Sequence, residues 1–437
     1  MFHLGWFMGS GFSVQTWAGD PWAGTTGRDW MKGGLFIDLA AALERAGFDY
    51  LLVEDTSMIE DAHGGSMETT LKYGLLGPKN DPVPLIPLLT QRTKHIGIAC
   101  TLSTSFYHPY MAARTMTTLD HLTEGRVGLN VVTGSSRRAA QQYGYDDLQP
   151  HDQRYAMAHE WMEAVGALWE SWEEDAVLVD TETPRYADHM KVHPVDFAGK
   201  YFRTRGPLNT IPGPQRRPVI VQAGASSAGR DLAAKYAESM LAHGHSIEAM
   251  KAFRADMHRR LKEYGRDPAE LKILFLVEPT LGETDEVART RVEAHNRWAR
   301  TDEAIERRLW GLSYTSGGTH DFSEYDLDGP VPDVWGNGET STLRNFVERG
   351  QGMTLREALA TIDTHSGLAF TGSPDSVAAQ MGEAMQEVGG DGYLLSPVVT
   401  RRNIAEIADG LAPALRKRGL IRDGYDHSTF RENLLEF

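Results

Sequence analysis

The sequence predicts an α/β protein, a (β/α)8 TIM-like barrel carrying several long insertions. Three observations predict it. Short apolar runs rich in β-branched residues recur along the chain, each flanked by turn residues, and read as strands covered on both faces. Helical periodicity follows most of these runs, giving the strand–helix alternation of a parallel sheet. The two clearest runs, 95–102 and 126–133, lead into Ser, Thr and Gly at their C-terminal ends, where such folds keep their chemistry.

Taken in order, residues 2–9 form the first strand. A loop rich in Gly and Trp then runs to Gly33, carrying Trp17, Trp22 and Trp30. A loop of that length is usually functional or disordered, and its tryptophans read either as a wall over a pocket or as packing on the barrel rim. The helix 34–46 is amphipathic through Leu35, Leu39 and Leu43, with Gly47 as its C-cap. Strand two, 48–55, ends in the carboxylates Glu54 and Asp55. An insertion covers about 56–83, and a short helix leads into strand three (95–102), a helix over 108–123 and strand four (126–133). A long helix opens at His151. An excursion at about 174–216 is Pro-rich, with a hairpin turn at 197–202. Strands five (217–222), six (240–242) and seven (271–278) follow with their helices. A third insertion, about 301–370, is glycine-rich. The helix 376–388, strand eight (392–396), a closing helix (404–418) and a tail (419–437) complete a single domain, 1–437.

Composition narrows the function. The chain has 437 residues, and its 44 Lys and Arg against 60 Asp and Glu give a net charge of -16. Such a surface repels nucleic acid and anionic membrane, so neither is expected as a partner. No apolar run approaches about 18 residues, so no membrane span is expected. The first residues lack a basic stretch of the signal-peptide kind, and a cytoplasmic location is expected. One cysteine, Cys100, excludes an internal disulfide and a thiolate cluster, and reads as a small buried hydrophobe.

Candidate chemistry gathers at strand ends. After strand five, Gly224, Ala225, Ser226 and Ser227 pass directly into a helix. Unpaired N–H groups of a first helical turn attract a phosphate, two hydroxyls add donors, and Gly224 permits close backbone approach. An ordinary serine N-cap is the competing reading. His151 and Tyr155 lie one turn apart on one helix face and can complete an anion site; His151 as a rim residue is the alternative. Asp55, Thr101, Ser103 and Asn130 can line the same mouth, although a mid-strand Asn can also serve only a neighbour. His243 and His245 lack a third ligand at metal spacing, so no metal is expected. There is no nucleophile elbow, Walker loop or Gly-x-Gly-x-x-Gly after a strand.

Several segments together resemble one family. They are Thr101-Leu-Ser-Thr-Ser-Phe-Tyr-His-Pro-Tyr110, Asn130-Val-Val-Thr133, His151-Asp-Gln-Arg-Tyr155, Gln222-Ala-Gly-Ala-Ser-Ser-Ala-Gly-Arg230 and Phe370-Thr-Gly-Ser-Pro374. They resemble the nitrilotriacetate monooxygenase component A and dibenzothiophene sulfone monooxygenase family of bacterial-luciferase-like enzymes, in order and over nearly the whole chain. The resemblance implies the oxygenase component of a two-component flavin monooxygenase. It would use FMN as FMNH2 from a separate NAD(P)H:flavin reductase, with O2 adding at C4a and the flavin (hydro)peroxide oxygenating substrate. Carried over by position, Asp55, Thr101, His151, Tyr155, Ser226 and Ser227 match flavin contacts. Where the family has Ser, this chain has Gly134 followed by Ser135, so one flavin hydrogen bond moves to Ser135 or is lost; Leu129 replaces a family Trp. His320, in the third insertion, is the candidate catalytic residue for handling the peroxide, with an exposed loop His as the alternative. His3, Trp17, Trp22 and Phe106 are expected to line the substrate pocket, and the substrate is expected to be apolar, aromatic, halogenated or sulfur-containing. A homodimer or homotetramer is expected by analogy. An F420-dependent oxidoreductase and a flavin-binding barrel without oxygenase activity are the alternatives.

Overall fold

The computed structural model describes residues 1–15, 17, 26–362 and 367–437. Eight parallel strands close into a barrel: β1 (His3–Met8), β2 (Tyr50–Val53), β3 (Gly97–Ser103), β4 (Val127–Val132), β5 (Val219–Gln222), β6 (Ser239–Ala242), β7 (Lys272–Val277) and β8 (Gly392–Leu395). Hydrogen bonding runs β1-β8-β7-β6-β5-β4-β3-β2 and returns to β1. All eight lie within two residues of the expected bounds. Burial on both faces produced their near-continuous apolar runs, the signal that located them.

Alternate residues point inward. Tyr50, Leu52, Ala99, Val221, Leu241 and Leu274 fill the barrel interior. Gly5 belongs to that inner layer because a Cβ there would lie 2.5 Å from Leu394 Cδ1. The lower end is plugged by the short helix Phe430–Leu434. A Cβ on Gly97 or Gly128 would come within 2.4 and 2.8 Å of the Phe430 ring. Three helices matter for the site: α1 (His151–Trp169), α2 (Ser227–Tyr236) and α3 (Asp302–Thr315).

His3 corrects an expectation. As the first residue of β1 it sits at the plugged end, away from the strand C-termini. Its Nδ1 lies 3.0 Å from Asp49 Oδ1 and its Nε2 3.0 Å from the Phe437 carbonyl, with the Phe437 ring stacked on it at 4.3 Å. Arg422 donates to the same Asp49 oxygen at 2.6 Å, so His3 belongs to a buried structural cluster.

The insertions are more structured than their sequences suggested. The first holds the helix Glu68–Tyr73. The second contains two antiparallel hairpins, Val177–Asp180 with Arg185–Ala187 and Phe197–Ala198 with Arg203–Thr204; the turn at 197–202 was expected, the other was not. The third carries α3, Thr340–Arg349 and Leu355–Thr361 around a core of its own, built from Ile305, Leu309, Phe322, Phe346 and Leu359. Among the described residues no helix is long and apolar enough to cross a membrane.

Candidate active site

A cavity of about 520 Å³ opens at the C-terminal ends of the strands, roofed by the first and third insertions. The parallel register sets Thr101 opposite Asn130 at its floor. Asn130 Nδ2 donates to Thr101 Oγ1 at 2.9 Å, and that hydroxyl donates to the Val53 carbonyl at 2.7 Å. Asn130 Oδ1 is buried with no partner among the described residues. An unpaired buried acceptor costs roughly 1–3 kcal/mol, and a ligand N–H entering the cavity would relieve that cost.

One end of the cavity is built for an anion. The Gly224 amide donates to Gln222 Oε1 at 2.7 Å. A Cβ at Gly224 would fall 2.5 Å from Gln222 Nε2 and 2.7 Å from the Tyr155 hydroxyl, so close approach requires glycine here. Ser226 caps α2, accepting from the Gly229 amide at 3.1 Å, and the first-turn amides of this ten-residue helix carry partial positive charge towards the cavity. The Tyr155 hydroxyl joins Ser226 and Thr133; burial raises its pKa against those hydrogen bonds. His151, the first residue of α1, places its ring 4.9 Å from that of Tyr155.

Arg154 supplies charge to the same wall. It is 1% exposed, yet its guanidinium hydrogen bonds all go to amide oxygens, including Asn337 Oδ1 at 3.1 Å and the Asn337 carbonyl at 2.8 Å. Among the described residues no carboxylate neutralises it, and its Nε has no partner. Burial lowers its pKa to about 10, still well above neutrality, so the cation persists. A buried charge without a counter-ion is expensive, and an anion bound at this end would provide the missing partner.

The opposite side is acidic. Glu54 forms an ion pair with the buried Lys79 ammonium, which also donates to Thr56 Oγ1 at 2.9 Å. Burial pushes the Glu54 pKa up while Lys79 opposes the shift. Asp55 is raised to about 7, first by burial and then by the charge of Glu54. Near neutral pH it can therefore donate a hydrogen bond as well as accept one.

The fold brings most of the expected residues to this cavity. Asp55, Thr101, Ser103 and Asn130 line its floor; Gly134, Ser135 and Phe106 line one wall; His151, Tyr155, Gly224, Ala225 and Ser226 line the anion end. Ser227 does not join them. It is exposed on the outer side of α2, where its hydroxyl accepts from Arg260 Nη2 at 3.1 Å. His320 lies outside the cavity as well. Its Nε2 is 2.9 Å from the Trp335 carbonyl and its Nδ1 3.2 Å from the Tyr325 hydroxyl, so it braces the third insertion internally. Trp17 is 52% exposed and donates to the Tyr73 carbonyl at 3.3 Å, covering the first insertion instead of the pocket. Trp22 lies outside the described residues. Among the described residues no three His, Cys, Asp or Glu side chains gather as a metal site.

Sequence reasoning missed Arg154, Glu54, Trp310, Tyr314 and Glu339 as cavity residues. Arg154 was visible inside His151-Asp-Gln-Arg-Tyr155 but was given no role. Trp310 and Tyr314 stand four apart on α3, a spacing that marks one helix face. No local signal linked that face to the barrel mouth.

Comparison with known proteins agrees with this architecture. The chain is 35% identical over 91% of its length to a long-chain alkane monooxygenase of Geobacillus thermodenitrificans, covering 86% of that protein. It is 33% identical over 99% of its length to a dibenzothiophene-sulfone monooxygenase of Rhodococcus erythropolis, covering 96% of that protein. A crystal structure of a riboflavin lyase, solved with modified FMN and riboflavin, superposes with a TM-score of 0.87 at 30% identity, covering all of this chain and 96% of that one. The family model described as luciferase-like monooxygenase matches residues 12–392. A closed parallel barrel with its cavity at the strand C-termini, together with this match, makes the chain a member of the luciferase-like monooxygenase family.

Proposed function

We propose that this chain is the oxygenase component of a two-component monooxygenase, taking FMNH2 from a separate NAD(P)H:flavin reductase and O2 from solution. The observation that carries the reading is the unneutralised Arg154 cation beside the N-terminus of α2, with Tyr155, Ser226 and the Gly224 backbone at the same end of the cavity. This arrangement suits the phosphate of FMN. The unpaired Asn130 Oδ1 on the floor suits a ring N–H of the same ligand. When bound, reduced FMN would supply the electrons that activate O2 for transfer to a small organic substrate. The protein's task is then to hold the ring, exclude water and place the substrate. Tyr314 contributes to exclusion by reaching from the third insertion to Ser135, 3.1 Å from hydroxyl to hydroxyl. A transient reductase and a homo-oligomeric assembly complete the proposal.

Titration with FMN and with riboflavin tests it, because the two differ only in the phosphate. Arg154→Met is expected to weaken FMN binding about tenfold, near 1.4 kcal/mol, while riboflavin affinity changes little. With a flavin reductase and NADH present, oxygen uptake coupled to an oxygenated product is expected for the wild-type chain. Equal losses for FMN and riboflavin would remove the phosphate assignment. Reduction of a substrate by reduced F420 (F420H2) without oxygen uptake would replace the monooxygenase reading.

A further inference from the structure

A second part of the cavity lining has a different chemistry. Leu76, Ala139, Phe106, Trp310 and Tyr314 come from two insertions, the loop after β3 and the helix Arg137–Gln142, yet they form one apolar cluster separate from the barrel interior. The polar atoms of its aromatic members are occupied within the protein. Trp310 Nε1 donates to Thr70 Oγ1 at 2.7 Å, and Thr70 donates to the Glu60 carbonyl at 2.6 Å. The Tyr314 hydroxyl is held by Ser135. These side chains therefore present ring carbon to the cavity, and their orientation is fixed before anything binds.

Their geometry is planar. The Trp310 and Tyr314 rings are parallel within 8°, with centroids 5.8 Å apart. Phe106 and Tyr143 stack at 4.5 Å within 3°. Gly134 makes room for that second pair. Its φ of 78° is left-handed, and a Cβ there would lie 3.2 Å from Phe106 Cε2. Glu54 and Asp55 line the cavity, and the Lys79 ammonium is already committed to Glu54 and Thr56.

Resting on the monooxygenase reading above, we propose that this compartment is the substrate site, that it selects a flat, neutral aromatic ring over alkyl chains and anions, and that Trp310 and Phe106 with its partner Tyr143 determine that specificity. Rigid ring faces reward offset or edge-on stacking with a second ring beyond the area buried, a gain that a flexible chain does not share. A substrate carboxylate would meet the Asp55 carboxyl and find the Lys79 ammonium already paired with Glu54.

Three ten- or eleven-carbon probes separate these requirements: 2-naphthol, 6-hydroxy-2-naphthoate and 1-decanol, titrated calorimetrically into the protein carrying oxidised FMN. Saturable binding of 2-naphthol is expected, with the naphthoate and the alcohol each at least tenfold weaker. Trp310→Leu is expected to weaken 2-naphthol at least tenfold while leaving FMN affinity within twofold. Tyr143→Ala, at a ring 41% exposed and so tolerant of truncation, is expected to weaken it about fivefold and serves if the first variant does not fold. Equal affinity for the naphthoate or the alcohol, or unchanged 2-naphthol affinity in a folded variant, would overturn the proposal. Binding as expected, but without oxygenation of any neutral ring compound when reductase and NADH are present, would defeat the monooxygenase reading and leave the compartment's selectivity standing.

Discussion

At the cavity floor, the surroundings of Asp55 set its protonation. Burial and the neighbouring Glu54 charge favour its protonated form, raising its pKa to about 7. An unfolded aspartate titrates near about 4. The folded chain therefore binds the Asp55 proton more tightly, and the contribution of this group to stability falls as pH rises from about 4 through about 7. Urea denaturation of the wild type and Asp55→Asn across pH 5 to 8 isolates this residue. The stability difference is expected to shift in favour of Asn as pH rises, and a pH-independent difference would show that Asp55 titrates normally. Ser226 and Ser227 illustrate what the sequence conveys at this scale. The motif located the strand-to-helix turn, but adjacent residues leaving a strand point in different directions, and Ser227 faces Arg260 outside the cavity. Arg154 was legible as a residue but not as a buried cation, because its missing counter-ion is a fact of three-dimensional packing.

At the scale of elements, the C-terminal helix Phe430–Leu434 does work that its five residues conceal. Phe430 is fully buried at the plugged end of the barrel, against Gly97 and Gly128 on the neighbouring strands β3 and β4. Arg431 secures the helix through Glu238 and the Gln215 carbonyl. Phe430→Ala would leave a cavity of ring size beneath the site, and a loss of about 3–5 kcal/mol is expected in urea denaturation. A loss below about 1 kcal/mol would mean that the plug is dispensable. The sequence shows this segment only as a tail, 419–437, because five residues carry no periodic signal. The strands were readable for the opposite reason: burial on both faces forces an unbroken apolar composition. The helices of the third insertion fell between. Their apolar residues pack on one another as a satellite core, while the intervening glycine-rich turns dominated the sequence pattern.

Across the whole molecule, the third insertion and the barrel meet at Asn337. Its Oδ1 accepts from the His151 amide at 3.0 Å and from Arg154 Nη1 at 3.1 Å, and its Nδ2 donates to the Leu148 and Gln149 carbonyls, both at 3.1 Å. One side chain thus ties the roof of the aromatic compartment to the helix that opens the anion end. Nothing in the sequence pairs positions 337 and 154, since the contact spans 183 residues and leaves no periodic trace. At about 0.5–1.5 kcal/mol for each hydrogen bond, Asn337→Ala is expected to free the insertion before it unfolds the barrel. Hydrogen exchange should then quicken over residues 316–342 while β1 to β8 keep their protection. Asn337→Asp makes the electrostatic half of the argument testable. A carboxylate here retains the acceptor and neutralises Arg154 but loses both Nδ2 donations, as Ala does. Against Asn337→Ala, its FMN affinity should therefore fall further while riboflavin affinity does not. If both variants bind FMN as the wild type does, the insertion roofs the cavity without setting the charge that receives the phosphate.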